Sequence, residues 1–268
     1  MKEHKHIIDT TLRDGEQSPG IALGLEDKIK IAKMLDEIGV YEIEAGIPCL
    51  GGSESEIIRE IVKNTRNAKI SVWSRMNVND VKTSASCKPH ILHIGTPVSY
   101  IQIYSKLKKN KVWVQKNVLE CVEIAKGLGI EVTVGLEDAS RSDIGFILSL
   151  IKELKKAGVN IIRLADTVGI LTPGRTKEMV ETIKGHTDME IEMHVHNDLG
   201  MAVANSITGA KAGAEYIDCT LFGIGERTGN CNFYDFVHAS ESIFQFSMTK
   251  KQIREVEKET YELLKGAL

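Results

Sequence analysis

Along the chain, short β-branched apolar runs alternate with longer stretches whose apolar residues recur at helical spacing, the pattern of repeated βα units around a parallel sheet. Strand candidates begin near His6 (HIIDT), Tyr41 (YEIEAG), Ile70 (ISVWSR), Ile91 (ILHIG), Glu131 (EVTVGLE), Ile161 (IIRLADT), Ile191 (IEMHVH) and Tyr216 (YIDCTLFG). Several are apolar on both faces, as parallel strands covered by helices are expected to be. Leu25 to Ile38 places Ile29, Ala32, Leu35 and Ile38 on one side and stops at Gly39, a favourable helix C-terminal residue. The stretch after Ser142 behaves alike and ends near Gly158, and a last helix-like segment runs from Lys250 to Lys265. Eight units predict an α/β protein of the (β/α)8 TIM-barrel class. The same strands could instead form an open, doubly wound sheet, but that fold usually carries a glycine-rich phosphate loop after its first strand, and DTTLRDGEQ is not one.

Length agrees with the closed barrel: 268 residues is close to the roughly 250 typical of one such domain, so a single catalytic domain over 1–268 is expected. With 42% hydrophobic and 26% charged residues and a formal net charge of -3, the composition calls for neither nucleic acid nor membrane as a partner. Apolar runs such as Ile144 to Ile151 are much shorter than a membrane span, and the polar start (Lys2, Glu3, His4, Lys5) is unlike a signal peptide, so a cytoplasmic location is expected. Five widely spaced cysteines without a CxxC pair suggest free thiols. Lys106, Lys108, Lys109 and Lys111 form the one charge run; it reads as a solvated loop, with the alternative that it holds the phosphates of a nucleotide cofactor.

Catalytic groups of a (β/α)8 barrel lie at the carboxyl ends of its strands, and polar residues collect there unit after unit. Arg13, Asp14 and Gln17 follow the first strand, Glu44 ends the second, Arg75 closes the third and His93 lies on the fourth. Glu137 ends the fifth, Thr167 follows the sixth, His194 and His196 end the seventh, and Glu226, Arg227 and Asn230 follow the eighth. Two residues apart on a strand, His194 and His196 share one face. With Asp14 as carboxylate and Asn230 as amide oxygen, they suit a divalent metal that keeps positions open for substrate. Blander roles remain open: Glu44 or Glu137 could pair with Arg75 or Arg163 inside the barrel, and Thr167 could cap the next segment.

The runs IIDTTLRDGEQSPG, IEAGIP, GLEDASRSD, RLADTVG, HVHNDLGMAVAN and GIGERTGN resemble the ordered motifs of the DRE-TIM metallolyases, in the homocitrate and 2-isopropylmalate synthase branch. The resemblance runs from about Ile7 to Asn232, and IPCLGGSESEIIREI and WSRMNVND are most similar to the homocitrate synthases of nitrogen fixation. It implies an acyltransferase that condenses acetyl-CoA with a 2-oxo acid, foremost 2-oxoglutarate to give homocitrate, then hydrolyses the thioester. On that resemblance Asp14, His194, His196 and Asn230 hold magnesium, manganese or zinc. Arg13 stabilises the developing alkoxide and Glu137 takes part in acid–base steps, while Gln17, Glu44, Arg75, His93 and Thr167 orient the oxo acid. 2-Isopropylmalate, citramalate or citrate formation stays open, as does a non-catalytic barrel subunit.

Two departures matter. Lysine-pathway homocitrate synthases usually carry an arginine four positions before the motif glutamate, where this chain has Thr133. The related lyases have a cysteine-containing glycine loop near the last strand, where GIGERTGN stands here. Family members also continue into C-terminal subdomains bearing a catalytic histidine and tyrosine. The resemblance therefore implies a homodimer of the barrel plus a separate subunit that carries the missing region.

Overall fold

The computed structural model describes residues 2–265. Eight parallel strands close into a barrel: β1 (His6–Asp9), β2 (Glu42–Glu44), β3 (Lys69–Arg75), β4 (Ile91–Pro97), β5 (Glu131–Glu137), β6 (Ile161–Asp166), β7 (Glu190–Val195) and β8 (Tyr216–Cys219). β8 returns to β1 with Ile7 opposite Ile217 and Ile8 opposite Asp218, so the open-sheet alternative is excluded. Around them run α1 (Leu25–Ile38), α2 (Glu54–Asn64), α3 (Val78–Ala85), α4 (Lys111–Gly127), α5 (Ile144–Lys156), α6 (Pro173–Lys184), α7 (Ala202–Ala212), α8 (Phe233–Ser240) and α9 (Lys250–Leu263). Outside the barrel, Glu3–His4 pairs with Phe244–Gln245. α1 ends as its glycine predicts, with Gly39 at φ 88° donating back to Asp36 and Leu35. The Asp36 carboxylate then accepts the backbone N–H groups of Arg66, Asn67 and Ala68 at 3.1, 2.7 and 2.6 Å, stapling the end of α1 to the approach to β3.

The hydrophobic core is split by the barrel wall. Outward residues such as Ile43, Val72, Ile94, Val134, Leu164 and Met193 pack beneath the helices in one large cluster, whereas Ile8, Ile161 and Tyr216 form a separate small plug. The expectation of strands apolar on both faces needs correction. Alternate positions on the other face are polar and buried: Glu42, Glu44, Ser71, His93, Thr133, Arg163, Glu192, His194 and Asp218. Arg163 makes this charged interior tolerable, pairing with Glu44 at 3.0 Å and Glu192 at 2.5 Å. Burial still pushes the Glu42 and Glu192 carboxyls up to about 8 and about 7, so the interior need not carry the full complement of negative charge.

Strand register also sets the shape of the mouth. Arg75, Gly95, Gly135 and Arg163 are partners across β3 to β6, and one step deeper Trp73, His93 and Thr133 are partners across β3 to β5. Two adjacent glycines in the upper row leave a notch. A Cβ on Gly95 would come within 2.6 Å of the Trp73 ring, and one on Gly135 would collide with His93 Nε2.

Candidate active site

After β1 the chain coils on itself, because the Thr10 carbonyl accepts the N–H groups of Arg13, Asp14 and Gly15 at 3.1, 2.8 and 3.1 Å. This turn carries Arg13 and Asp14 over the barrel mouth, where they line a cavity of about 280 Å³ with Gln17, His93, Glu137, Thr167, His194 and His196. Eight of the eleven residues expected from the sequence therefore share one cavity.

One oxygen of Asp14 and one ring nitrogen from each of His194 and His196 lie within 4.8 Å of one another. Asp14 Oδ2 stands 3.4 Å from His194 Nε2 and 3.9 Å from His196 Nε2, so all three atoms face a common point. The Asn230 amide donates to Asp14 Oδ1 at 2.9 Å, which leaves its own Oδ1 buried and without a partner among the described residues. An orphaned oxygen beside two imidazoles and a carboxylate is the donor set a divalent cation requires, so the residues present fit a metal. Gly225 permits this approach: at φ +157° its added Cβ would strike the Asn230 amide and sit 2.9 Å from Asp14 Oδ1.

Behind the donors is a second layer that sequence reasoning missed. Asp218 Oδ2 lies 2.8 Å from His194 Nδ1, and Thr10 donates to the other Asp218 oxygen at 2.6 Å. This fixes the first ring and directs Nε2 outward. His196 is held by packing, edge-on to His194 with ring centroids 5.0 Å apart. The charges sort accordingly. Burial alone would raise the Asp14 carboxyl, but Arg13, helped by His194 and His196, holds it well below the usual range. Burial would lower His194, yet Asp218 and Asp14 lift it to about 9, while burial and the neighbouring His194 press His196 down to about 4. Asp218 was legible only as an inward-facing acid on β8, and nothing in its local sequence distinguishes it.

Other cavity groups have defined states. Arg13 donates to Asp14 at 2.6 Å and also pairs with Glu44. Thr167 Oγ1 accepts the Asp138 N–H at 2.8 Å, which ties together the loops after β5 and β6 and leaves its own proton free to point elsewhere. Burial raises the Glu137 carboxyl, with Lys106 and Arg13 pulling the other way. Trp73, Gln102, Lys106 and Arg163 also line the cavity and had not been expected there; Lys106, exposed like Lys108 and Lys109, reaches it from the lysine run.

Three expected residues lie off this cavity. Asn230 stands beneath Asp14, as described. Glu44 is fully buried between Arg13 and Arg163 and serves as their counter-ion, which corrects its expected contact with the oxo acid. Arg75 is largely exposed, is paired with Asp80, and lines an adjoining cavity of about 450 Å³ that also meets Trp73, Gln102, Lys106, Trp113 and Glu137.

A closed parallel barrel with a metal-ready triad at its carboxyl end defines the class, and the family model described as HMGL-like matches residues 5–258: the chain belongs to the HMGL-like family. It is 46% identical to the homocitrate synthase subunit alpha of Clostridium pasteurianum, over 89% of this chain and 88% of that one. It is 44% identical to 2-isopropylmalate synthase 2 of Caldanaerobacter subterraneus subsp. tengcongensis over 91% of this chain, and 42% identical to the homocitrate synthase of Frankia alni over 84%. The matches span only 63% and 64% of the length of those two relatives. Among solved structures, the hydroxymethylglutaryl-CoA lyase of Pseudomonas aeruginosa superposes with a TM-score of 0.86 at 16% identity, covering 99% of this chain and 94% of that one; this likeness speaks for the fold alone. The relatives at 42–46% identity make the chain an enzyme, an acyltransferase of this family. No helix among the described residues is long and apolar enough to cross a membrane.

Proposed function

We propose that this barrel catalyses the condensation of acetyl-CoA with a 2-oxo dicarboxylic acid, 2-oxoglutarate in the first place, giving homocitrate and free CoA with consumption of one water. The observation that carries the reading is the convergence of Asp14, His194 and His196 with Arg13 in one cavity, with the Asn230 oxygen left over beneath Asp14. These four residues would hold a divalent cation, which when bound would supply Lewis acidity to the keto group of a 2-oxo acid. The chain's own groups do the rest. Arg13, anchored by Glu44 and Asp14, presents a fixed positive charge where the alkoxide develops, and fixed charge in a dry site costs no reorganisation. Thr167 and Gln17 orient the acid from the cavity rim. Glu137, its carboxyl raised by burial, stands in the cavity where it can hold and deliver a proton. The adjoining cavity suits the acyl thioester, since it meets the first one at Glu137, Gln102 and Lys106 and is walled by Trp73, Trp113 and Leu107.

We infer that the working enzyme pairs this chain with a companion subunit and that the barrel self-associates. In support, the relative matched over 88% of its length is itself named a subunit alpha. The 44% likeness to a 2-isopropylmalate synthase supports 2-oxoisovalerate as the competing substrate. CoA release is to be measured with acetyl-CoA and 2-oxoglutarate, 2-oxoisovalerate, pyruvate or oxaloacetate in turn, with and without the candidate companion. The expected result is metal-dependent homocitrate formation, fastest with 2-oxoglutarate and abolished by Arg13→Ala while metal remains bound. Faster turnover of another acid overturns the substrate, and no turnover of any acid with the companion present overturns the reaction in favour of a non-catalytic barrel.

A further inference from the structure

His93 and Thr133 face each other across β4 and β5, and His93 Nδ1 lies 2.8 Å from Thr133 Oγ1 with both side chains buried. The other ring nitrogen, Nε2, forms no hydrogen bond among the described residues and points to the space above Gly135, on the cavity side. That space exists because the row above is Gly95 and Gly135; a methyl at position 135 would fill it. Beside it on β6, Arg163 lines the same cavity with Nη2 buried and without a hydrogen-bond partner. The floor beside Gly135 is thus a notch with one polar nitrogen, His93 Nε2, aimed into it, while Arg163 Nη2 lies 3.8 Å from Asp218 Oδ2.

The metal donors stand at the ends of β1 and β7, β1 lying across the barrel from β5 and β7 lying next to β6. A 2-oxo acid held there would share the cavity with His93, within reach of its far end. We propose that Thr133 is a positioning residue for substrate selection: its hydroxyl donates to His93 Nδ1, so that Nε2 carries the proton and meets the distal carboxylate of the oxo acid. This rests on the proposed function and names the feature that selects a dicarboxylate. Thr133 Oγ1 has His93 as its hydrogen-bond partner among the described residues, so nothing else there claims the hydroxyl. An apolar distal end would leave the Nε2 proton unpaired in the notch, and sites built to hydrogen-bond a group discriminate strongly against analogues that lack it.

Thr133→Val tests this, because valine keeps the β-branched shape the strand favours and removes only the hydroxyl. Calorimetric titration of the Mn2+-loaded protein with 2-oxoglutarate and with 2-oxoisovalerate needs neither acetyl-CoA nor turnover. The expected result is a rise of about fivefold to tenfold in Kd for 2-oxoglutarate, the loss of one hydrogen bond. Kd for 2-oxoisovalerate should change by less than about twofold, since its chelating head is the same. Thr133→Ser should restore the first value. Long-range 15N–1H spectra of histidine-labelled protein give a metal-free readout, with His93 expected in the Nε2–H form and shifted from it in the valine variant. Equal weakening of both acids, no change in either, or an Nδ1–H ring in the unaltered protein overturns the role of Thr133. Failure of the unaltered protein to bind either acid overturns the proposed function itself, and this inference with it.

Discussion

Glu44, fully buried, and Glu137, half-buried, both stand at the mouth of the barrel, and the same substitution to glutamine should affect them in opposite ways. Glu44 is wedged between two guanidiniums: it pairs with Arg13 and lies 3.0 Å from Arg163. Glutamine keeps one acceptor oxygen but turns an amide donor toward one of two donors, and removes the shared negative charge. Breaking a buried ion pair by removing one partner costs about 3–5 kcal/mol. Here Arg13 keeps Asp14 at 2.6 Å and Arg163 keeps Glu192 at 2.5 Å, so the lower end, about 3 kcal/mol, is expected for Glu44→Gln. For a chain of this size that corresponds to a fall of about 6–12 °C in Tm. Glu137 forms no ion pair among the described residues, and burial already disfavours its ionised form, so Glu137→Gln should leave Tm unchanged or slightly higher. Its turnover should nonetheless fall about 100-fold or more, the usual worth of an acid–base group. Differential scanning calorimetry of both variants at pH 7 and the CoA-release assay decide the matter. A Glu44→Gln protein that melts within about 2 °C of the parent while losing oxo acid affinity would refute the counter-ion argument and restore Glu44 to substrate contact.

Three further outcomes are expected. Gly225→Ala should weaken Mn2+ binding at least tenfold by calorimetry, because its Cβ collides with the Asn230 amide and crowds Asp14 (roughly 1.4 kcal/mol or more), and an unchanged Kd would contradict the assignment of that corner. Asp36→Ala should lower Tm by about 4–12 °C, since it strips the acceptor from three backbone N–H groups at the approach to β3. Burial lifts the Asp9 carboxyl to about 7, so between the ordinary carboxylate range and pH 7 the folded state binds the extra proton and stability should fall as pH rises. Urea unfolding of the parent and of Asp9→Asn at pH 5 and 7.5 checks this, the variant being expected to lose that part of the slope.

Much of the architecture is carried by local sequence. All eight strands begin within a residue or so of where β-branched runs place them, and α1 ends where Gly39 supplies a left-handed residue at no steric cost. The HxH spacing and the turn after β1 similarly follow from strand alternation and from backbone bonds among neighbours, so Asp14, His194 and His196 were legible before their distances were known. What the sequence could not decide are relations between strands distant along the chain. Whether Glu44 touches substrate or balances Arg163, whether Asp218 orients His194, and whether Gly135 is a weak point in a strand or the space His93 needs all depend on closure and register. These are pairings across 24 to 119 residues, and no local periodicity encodes them. The polar lining of the barrel has the same origin: the acids and histidines that alternate with apolar residues along the strands become one charged interior only when the eight strands close around the buried Arg163.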